Sequence, residues 1–290
     1  MNSRLAIGTA QFGLPYGVSN KKGRVSQNTA REILLRAAAA GMDTIDTAIS
    51  YGDSEVCLGN IGVEDWKVIS KLPTLPPNCQ EVEDWVQYQI RGSLGRLKID
   101  NLDGLLLHRP SELLEPNGQR LWSVLQKEKE NGLIKKIGFS IYAPDELDRL
   151  WPSFAPDLVQ APYNLIDRRI ETSGWLMRLH DAGIEVHVRS VFLQGLLLLS
   201  KIQRPKQFER WAGLWEELEQ WLRDQLLTPL QACLAFSLQD LRIDRVIVGV
   251  ENPQQLEEIL SVSSAHQPHP PQTLSVGDLD LIHPSRWSLL

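Results

Sequence analysis

Lys67-Val-Ile-Ser-Lys71, the segment Val82–Leu97 and Leu102-Asp-Gly-Leu-Leu-Leu-His108 follow one another in a single pattern: a short apolar run, a stretch of helical period, and a second apolar run. Neither run alternates apolar with polar in the way a half-solvated strand does. Both therefore read as strands covered on two faces, which is how parallel strands are buried. The pattern extends outward in both directions. Candidate strands are Leu5–Gly8, Thr44–Asp46, Lys67–Lys71, Leu102–His108, Lys136–Ser140, Leu158–Gln160, Glu185–Ser190 and Arg245–Val250. Between and after them lie helix candidates at Gln27–Ala40, Ser54–Asn60, Val82–Leu97, Gln119–Asn131, Pro144–Trp151, Thr172–Ala182, Pro229–Gln239 and Pro253–Val262. Thr228-Pro229 and Asn252-Pro253 place a capping side chain before a proline at the first helical position, and Gly41, Gly132 and Gly183 stand where helices end.

Eight strand–helix units in 290 residues leave about 36 residues each, enough for one strand, one helix and two connections. The fold expected is an α/β architecture, a (β/α)8 TIM barrel forming a single domain over residues 1–290, with a doubly wound open sheet as the alternative. Two features depart from the simple repeat. An amphipathic helix is expected at Gln207–Asp224, between the seventh and eighth strands, with Trp211, Trp215, Leu218, Trp221 and Leu222 on one stripe that reads as packing. A proline-rich C-terminal tail starts at His266 and is placed near the barrel mouth; its His266-x-x-His269 spacing reads as solvated loop, and no metal site is expected.

Composition narrows the function classes. The chain is 42% hydrophobic and 23% charged, ordinary globular usage that argues against disorder. A net charge of −6 offers no general attraction to nucleic acid or an anionic membrane. Cys57, Cys79 and Cys233 are too few and too scattered for a disulfide framework, no apolar run approaches the length of a membrane span, and the N-terminus lacks the h-region of a signal peptide, so a cytoplasmic location is expected.

In a barrel of this kind the chemistry sits at the C-terminal ends of the strands. Those ends carry Asp46, Lys71, His108, Ser140, Gln160, Arg189 and Ser190, and Tyr51 follows the second strand closely. A tyrosine serves as a proton donor near neutral pH only where a cation and hydrogen bonds stabilise its phenolate, and Lys71, held by Asp46, is placed to supply that cation. His108 would donate to a substrate oxygen. Taken one at a time these residues are also explained by a buried ion pair, a satisfied core histidine and a packing tyrosine. Their convergence at one rim favours a site. No H-E-x-x-H motif, Walker loop or thiol beside a base occurs. Lys71 at a strand end leaves open a Schiff-base lyase.

The sequence resembles the aldo-keto reductase family. The resemblance is carried by Ile7-Gly-Thr-Ala-Gln-Phe-Gly13, Asp43-Thr-Ile-Asp-Thr-Ala-Ile-Ser-Tyr-Gly-Asp-Ser-Glu55, Val68-Ile-Ser-Lys71, Leu105-Leu-Leu-His-Arg-Pro110, Ile137-Gly-Phe-Ser140, Gln160-Ala-Pro-Tyr-Asn164, Leu193-Gln-Gly-Leu196 and Val246-Ile-Val-Gly249. It implies reversible reduction of an aldehyde or ketone by NADPH, with NADH possible, in a cytoplasmic and monomeric protein. Asp46, Tyr51, Lys71 and His108 fall on the four positions of the family's catalytic tetrad, with Tyr51 as general acid. Cofactor contacts are implied for Gly8, Thr9, Gln11, Asp46, Ser140, Gln160, Arg189, Ser190, Leu193, Gln194, Gly195, Gly249 and Gln255, and substrate contacts for Tyr51, His108 and Arg109.

Several positions depart from the family pattern. Ile141 replaces an Asn beside the nicotinamide amide, Arg189 replaces an aromatic that stacks on the ring, and such a cation would disfavour the oxidised ring. The stretch Gly249-Val-Glu-Asn-Pro-Gln-Gln-Leu-Glu-Glu258 lacks the basic residues expected around a ribose phosphate, and Glu251 would repel one. Arg109, Arg168, Arg169 and Arg189 near strand ends suggest a polar or anionic carbonyl substrate, with surface ion pairing as their other explanation. A cofactor-binding regulatory protein without turnover is the remaining alternative.

Overall fold

The computed structural model describes residues 4–20, 22–262 and 267–289. Eight parallel strands close into a barrel in sequence order, β1 (Leu5–Gly8), β2 (Thr44–Asp46), β3 (Lys67–Leu72), β4 (Gly104–Leu107), β5 (Ile137–Ser140), β6 (Leu158–Pro162), β7 (Glu185–Arg189) and β8 (Arg245–Gly249), with β8 pairing back onto β1. The closed TIM barrel is therefore the fold, and the open sheet is not. Leu102, expected in the fourth strand, makes only an isolated bridge to Ile134.

Around the barrel run α1 (Ala10–Gly13), α2 (Gln27–Ala39), α3 (Ser54–Ile61), α4 (Val82–Leu97), α5 (Gly118–Glu130), α6 (Asp145–Leu150), α7 (Arg169–Thr172), α8 (Trp175–Asp181), α9 (Ala212–Asp224), α10 (Pro229–Gln239), α11 (Pro253–Ser261) and α12 (Leu279–Ile282). Caps explain where several begin. Thr228 and Gln231 form a reciprocal capping box at α10, and the Asn252 side chain accepts from the Gln255 N–H at α11. The helix expected over Thr172–Ala182 is instead two, α7 and α8, because Gly174 takes φ +81 and breaks the helical path. The helix expected at Gln207–Asp224 opens as a 3-10 turn, Lys206–Trp211, before α9 continues. Trp215, Leu218, Trp221 and Leu222 of α9 are buried as packing residues, and the Trp215 indole donates to the Phe208 carbonyl at 2.8 Å.

Close packing of strands depends on Gly138 in β5, where a β-carbon would come within 1.8 Å of the Leu158 carbonyl oxygen of β6. Most of the buried apolar side chains form one cluster between strands and helices, and a small inner cluster of Ile69, Leu106 and Leu158 accompanies it. Opposite Leu158 in the register stands a charged residue, Glu185. Glu185 accepts from Lys136 at 2.6 Å and pairs with His187 Nε2 at 2.7 Å.

The tail is tied to the β6 and β7 side of the rim. Arg168 donates to the carbonyls of Pro270 and Pro271, the Val276 N–H reaches the Ile166 carbonyl at 2.9 Å, and Trp287 packs edge-on against Phe208. Of the His266–His269 pair, His266 lies outside the described residues. Among the described residues no helix is long and apolar enough to cross a membrane.

Candidate active site

Parallel register brings the strand ends to one level. Gly8 lies beside Asp46 and Gly249, Lys71 beside Leu106, and Ser140 beside Gln160. Side chains alternate along a strand, so Lys71 and Asp46, each near a strand end and facing inward, meet in the barrel. The Lys71 ammonium donates to both Asp46 carboxylate oxygens at 2.8 Å and to the Thr47 carbonyl at 2.8 Å. It is almost fully buried, and burial pulls its pKa down while Asp46 opposes that. Gln160 adds a neutral donor to the same carboxylate at 2.7 Å, and the Ser140 hydroxyl reaches the Gln160 side-chain amide oxygen at 3.5 Å.

Tyr51 stands over this pair. Its ring centroid is 5.1 Å from Lys71 Nζ, and its ring meets His108 edge-on at 6.0 Å. The turn that carries it needs Gly13, because a β-carbon there would lie 1.7 Å from the Tyr51 carbonyl oxygen. Burial, reinforced by the Asp46 charge, raises the phenol pKa well above its usual value, and Arg189 pulls the other way. The sequence expectation was a phenol lowered by Lys71. Burial and the Asp46 charge act in the opposite sense, while the Lys71 ammonium bonds Asp46 and Thr47 beneath the ring. His108 is pushed down to about 4, mainly by burial and then by the Lys71 and Arg189 cations, so near neutral pH its imidazole is uncharged. Its Nδ1 lies 3.2 Å from the Ser50 hydroxyl.

These groups open onto a cavity of about 390 Å³. Of the residues singled out in the sequence, Gly8, Thr9, Gln11, Asp46, Tyr51, His108, Ser140, Arg189, Ser190, Gln194, Gly195, Gly249 and Gln255 line it. Lys71, Gln160 and Leu193 lie behind the wall, the first two acting on Asp46 and the third buried in the core. Arg109 is not brought to the cavity: it pairs with Glu115 at 3.0 Å on the half-exposed surface. Arg168 is spent on tail carbonyls and Arg169 on Asp167 at 2.8 Å.

Tyr142, Tyr16 and Glu258 also line the cavity and were not anticipated. Tyr142 was legible in principle, because it continues the alternation two residues beyond Ser140. Tyr16 comes from the loop after β1 and hydrogen-bonds the Gln194 amide at 3.2 Å, a long-range pairing that no local pattern encodes. The segment after β7 makes a tight turn in which Ser190, Leu193, Gln194 and Gly195 take φ of +60, +46, +53 and +89. Several N–H groups of this turn close it on itself, Leu193 donating to the Ser190 carbonyl at 2.8 Å and Gly195 to the Phe192 carbonyl at 2.9 Å.

A model of the aldo/keto reductase family matches residues 4–270. Among curated relatives, L-glyceraldehyde 3-phosphate reductase of Escherichia coli is 26% identical over 88% of this chain and 84% of its own length. Aldo-keto reductase YhdN of Bacillus subtilis is 26% identical over 59% of this chain, and the match spans about half (53%) of YhdN's length. An aldo-keto reductase of Mycolicibacterium vanbaalenii is 33% identical over 43% of this chain and 45% of its own length. Among solved structures, aldo-keto reductase AKR11C1 from Bacillus halodurans in its holo form superposes with a TM-score of 0.74 at 19% identity, covering 98% of this chain and 95% of that one. With the barrel closed, the strand-end cluster facing one cavity and the family match running over nearly the whole chain, this protein belongs to the aldo/keto reductase family.

Proposed function

We propose that this protein reduces the carbonyl of a small polar aldehyde or ketone to an alcohol, reversibly, with NADPH or NADH as hydride donor. The observation that carries the reading is the cluster at one end of the cavity: a protonated phenol and a neutral imidazole, with a buried Lys71–Asp46 pair beneath the phenol ring. When bound, the reduced nicotinamide supplies a hydride to the carbonyl carbon. The chain's residues supply the rest. His108, uncharged, donates a hydrogen bond to the carbonyl oxygen and orients it. Tyr51 gives its proton to that oxygen as negative charge develops there, and Arg189 stabilises the phenolate left behind. Asp46, held by Gln160 and Lys71, fixes the ammonium under the ring. The turn over 190–195, with Gly8, Thr9, Gln11 and Gly249, would hold the dinucleotide along the cavity.

Lys71 serves this role better than that of a covalent nucleophile, since it is buried behind the wall and gives all three hydrogen bonds to Asp46 and Thr47. A polar substrate suits the cavity's lining, and the relative that matches along most of its length is named for a phosphorylated aldehyde. The test is dinucleotide titration followed by turnover with a panel of neutral and phosphorylated aldehydes, wild type against Tyr51→Phe. Turnover in the variant is expected to fall by about 10²–10⁴ with dinucleotide affinity unchanged. Turnover that survives the substitution would remove Tyr51 as the proton donor, and dinucleotide binding with no turnover in either protein would favour a regulatory role.

A further inference from the structure

Of the four arginines near strand ends, Arg189 is the one whose side chain lines the cavity, and it does so at the end that holds Tyr51, His108 and Ser140. Its guanidinium is fixed by neutral partners. It donates to the Ile141 carbonyl at 3.0 Å and to the Ser190 hydroxyl at 3.4 Å, and it lies 4.4 Å over the Tyr142 ring. Tyr142 is itself stacked with His283 of the tail at 4.5 Å, so both ends of this stack are anchored to the fold.

The charge of the reacting end follows from the pairs already described. Lys71 and Asp46 bond each other and together sum to zero, whichever of them holds the proton. Tyr51 keeps its proton and His108 is uncharged near pH 7. Among the described residues at this end, what is left over is the positive charge of Arg189, which no carboxylate offsets among its bonded partners. The cavity's carboxylates other than Asp46, Glu251 and Glu258, come from β8's following turn and α11. A guanidinium stays charged at any pH the fold survives.

We propose that Arg189 makes the reacting end of the cavity net positive and so selects the reduced, neutral nicotinamide ring over the oxidised, cationic one. This rests on the reading of the cavity as a nicotinamide dinucleotide site. A cation held close to the ring repels the charge that appears on it after hydride is given up, and in a partly desolvated cavity that repulsion is only weakly screened. The same charge lies near the substrate oxygen, where negative charge develops. The site is thereby biased toward reduction and toward release of the spent cofactor.

The experiment is a set of binding titrations by tryptophan fluorescence and calorimetry with NADH, NAD+, NADPH and NADP+, on the wild type, Arg189→Met and Arg189→Lys. Met keeps an apolar stem against Tyr142 and loses the charge; Lys keeps the charge. The wild type is expected to bind each reduced form about tenfold or more tighter than its oxidised partner. In Arg189→Met the ratio is expected to collapse toward one, through tighter binding of the oxidised form, while Arg189→Lys retains most of it. General loosening of the site would weaken both redox forms together and leave the ratio intact. A ratio near one in the wild type, or an unchanged ratio in Arg189→Met, would overturn the proposal and leave the proposed reductase activity standing. Failure of any dinucleotide to bind would overturn both.

Discussion

At the scale of single residues, burial sets the chemistry more than pairing does. Tyr51 and His108 are both driven toward their neutral forms because the barrel mouth desolvates them, Tyr51 upward and His108 downward. His108 also makes stability depend on pH. Its folded pKa of about 4 lies below the ordinary imidazole value of 6.5, so between those values the unfolded chain binds more protons than the folded one. The stability that keeping His108 neutral contributes is therefore full above pH 6.5 and is lost as pH falls toward 4. Melting temperatures recorded from pH 8 to pH 4 are expected to fall less steeply for His108→Gln than for the wild type over that window. Identical slopes would mean that His108 is already protonated near its ordinary pKa.

At the scale of elements, α11 and the turn before it form one part of the cavity wall. Asn252 caps the helix, the Gln255 side chain accepts from the Glu251 N–H at 2.8 Å, and this exchange holds Glu251, Gln255 and Glu258 on the cavity wall. Burial raises the Glu251 carboxyl, with Lys22 acting against that. On the proposed dinucleotide reading, Glu251 and Glu258, with Lys22 near enough to act on the first, oppose a phosphate on the ribose and suit its free hydroxyls. NADH is expected to bind more tightly than NADPH, and Glu251→Gln to narrow the gap by strengthening NADPH binding about threefold to tenfold. Tighter binding of NADPH by the wild type would show that the phosphate avoids this wall. The strand–helix–strand order around β4 and the caps of α10 and α11 were legible because they are local, whereas the break between α7 and α8 depends on one glycine conformation that the helical period hides.

At the scale of the whole molecule, the tail acts as a brace. Its residues pack on the β6 and β7 side through Arg168, Ile166, Phe208 and Tyr142, the last of which supports Arg189 at the cavity. Trp287 is an aromatic anchor there, buried against Phe208 and donating to the Leu281 carbonyl at 3.0 Å. Trp287→Ala is expected to cost about 3–5 kcal/mol in denaturant unfolding, as for other buried aromatics. A loss below about 1 kcal/mol would mean that the tail adds little to the barrel.

What the sequence by itself determined is the repeating order of eight apolar strands and their helices, the closed barrel that order favours, and the residues standing at the strand ends. These follow from local periodicity, capping and a fixed parallel register. Tertiary structure alone decided which of those residues share a cavity. Arg109 and Arg189 look alike in the chain, yet one pairs with Glu115 on the surface and the other stacks on Tyr142 at the cavity wall. It likewise turned the Gln160 amide onto Asp46, placed Lys71 behind the wall and joined Tyr16 to Gln194 across 178 residues. Hydrogen-bond partners and desolvation depend on neighbours brought together by closure of the barrel, and no window along the chain contains them.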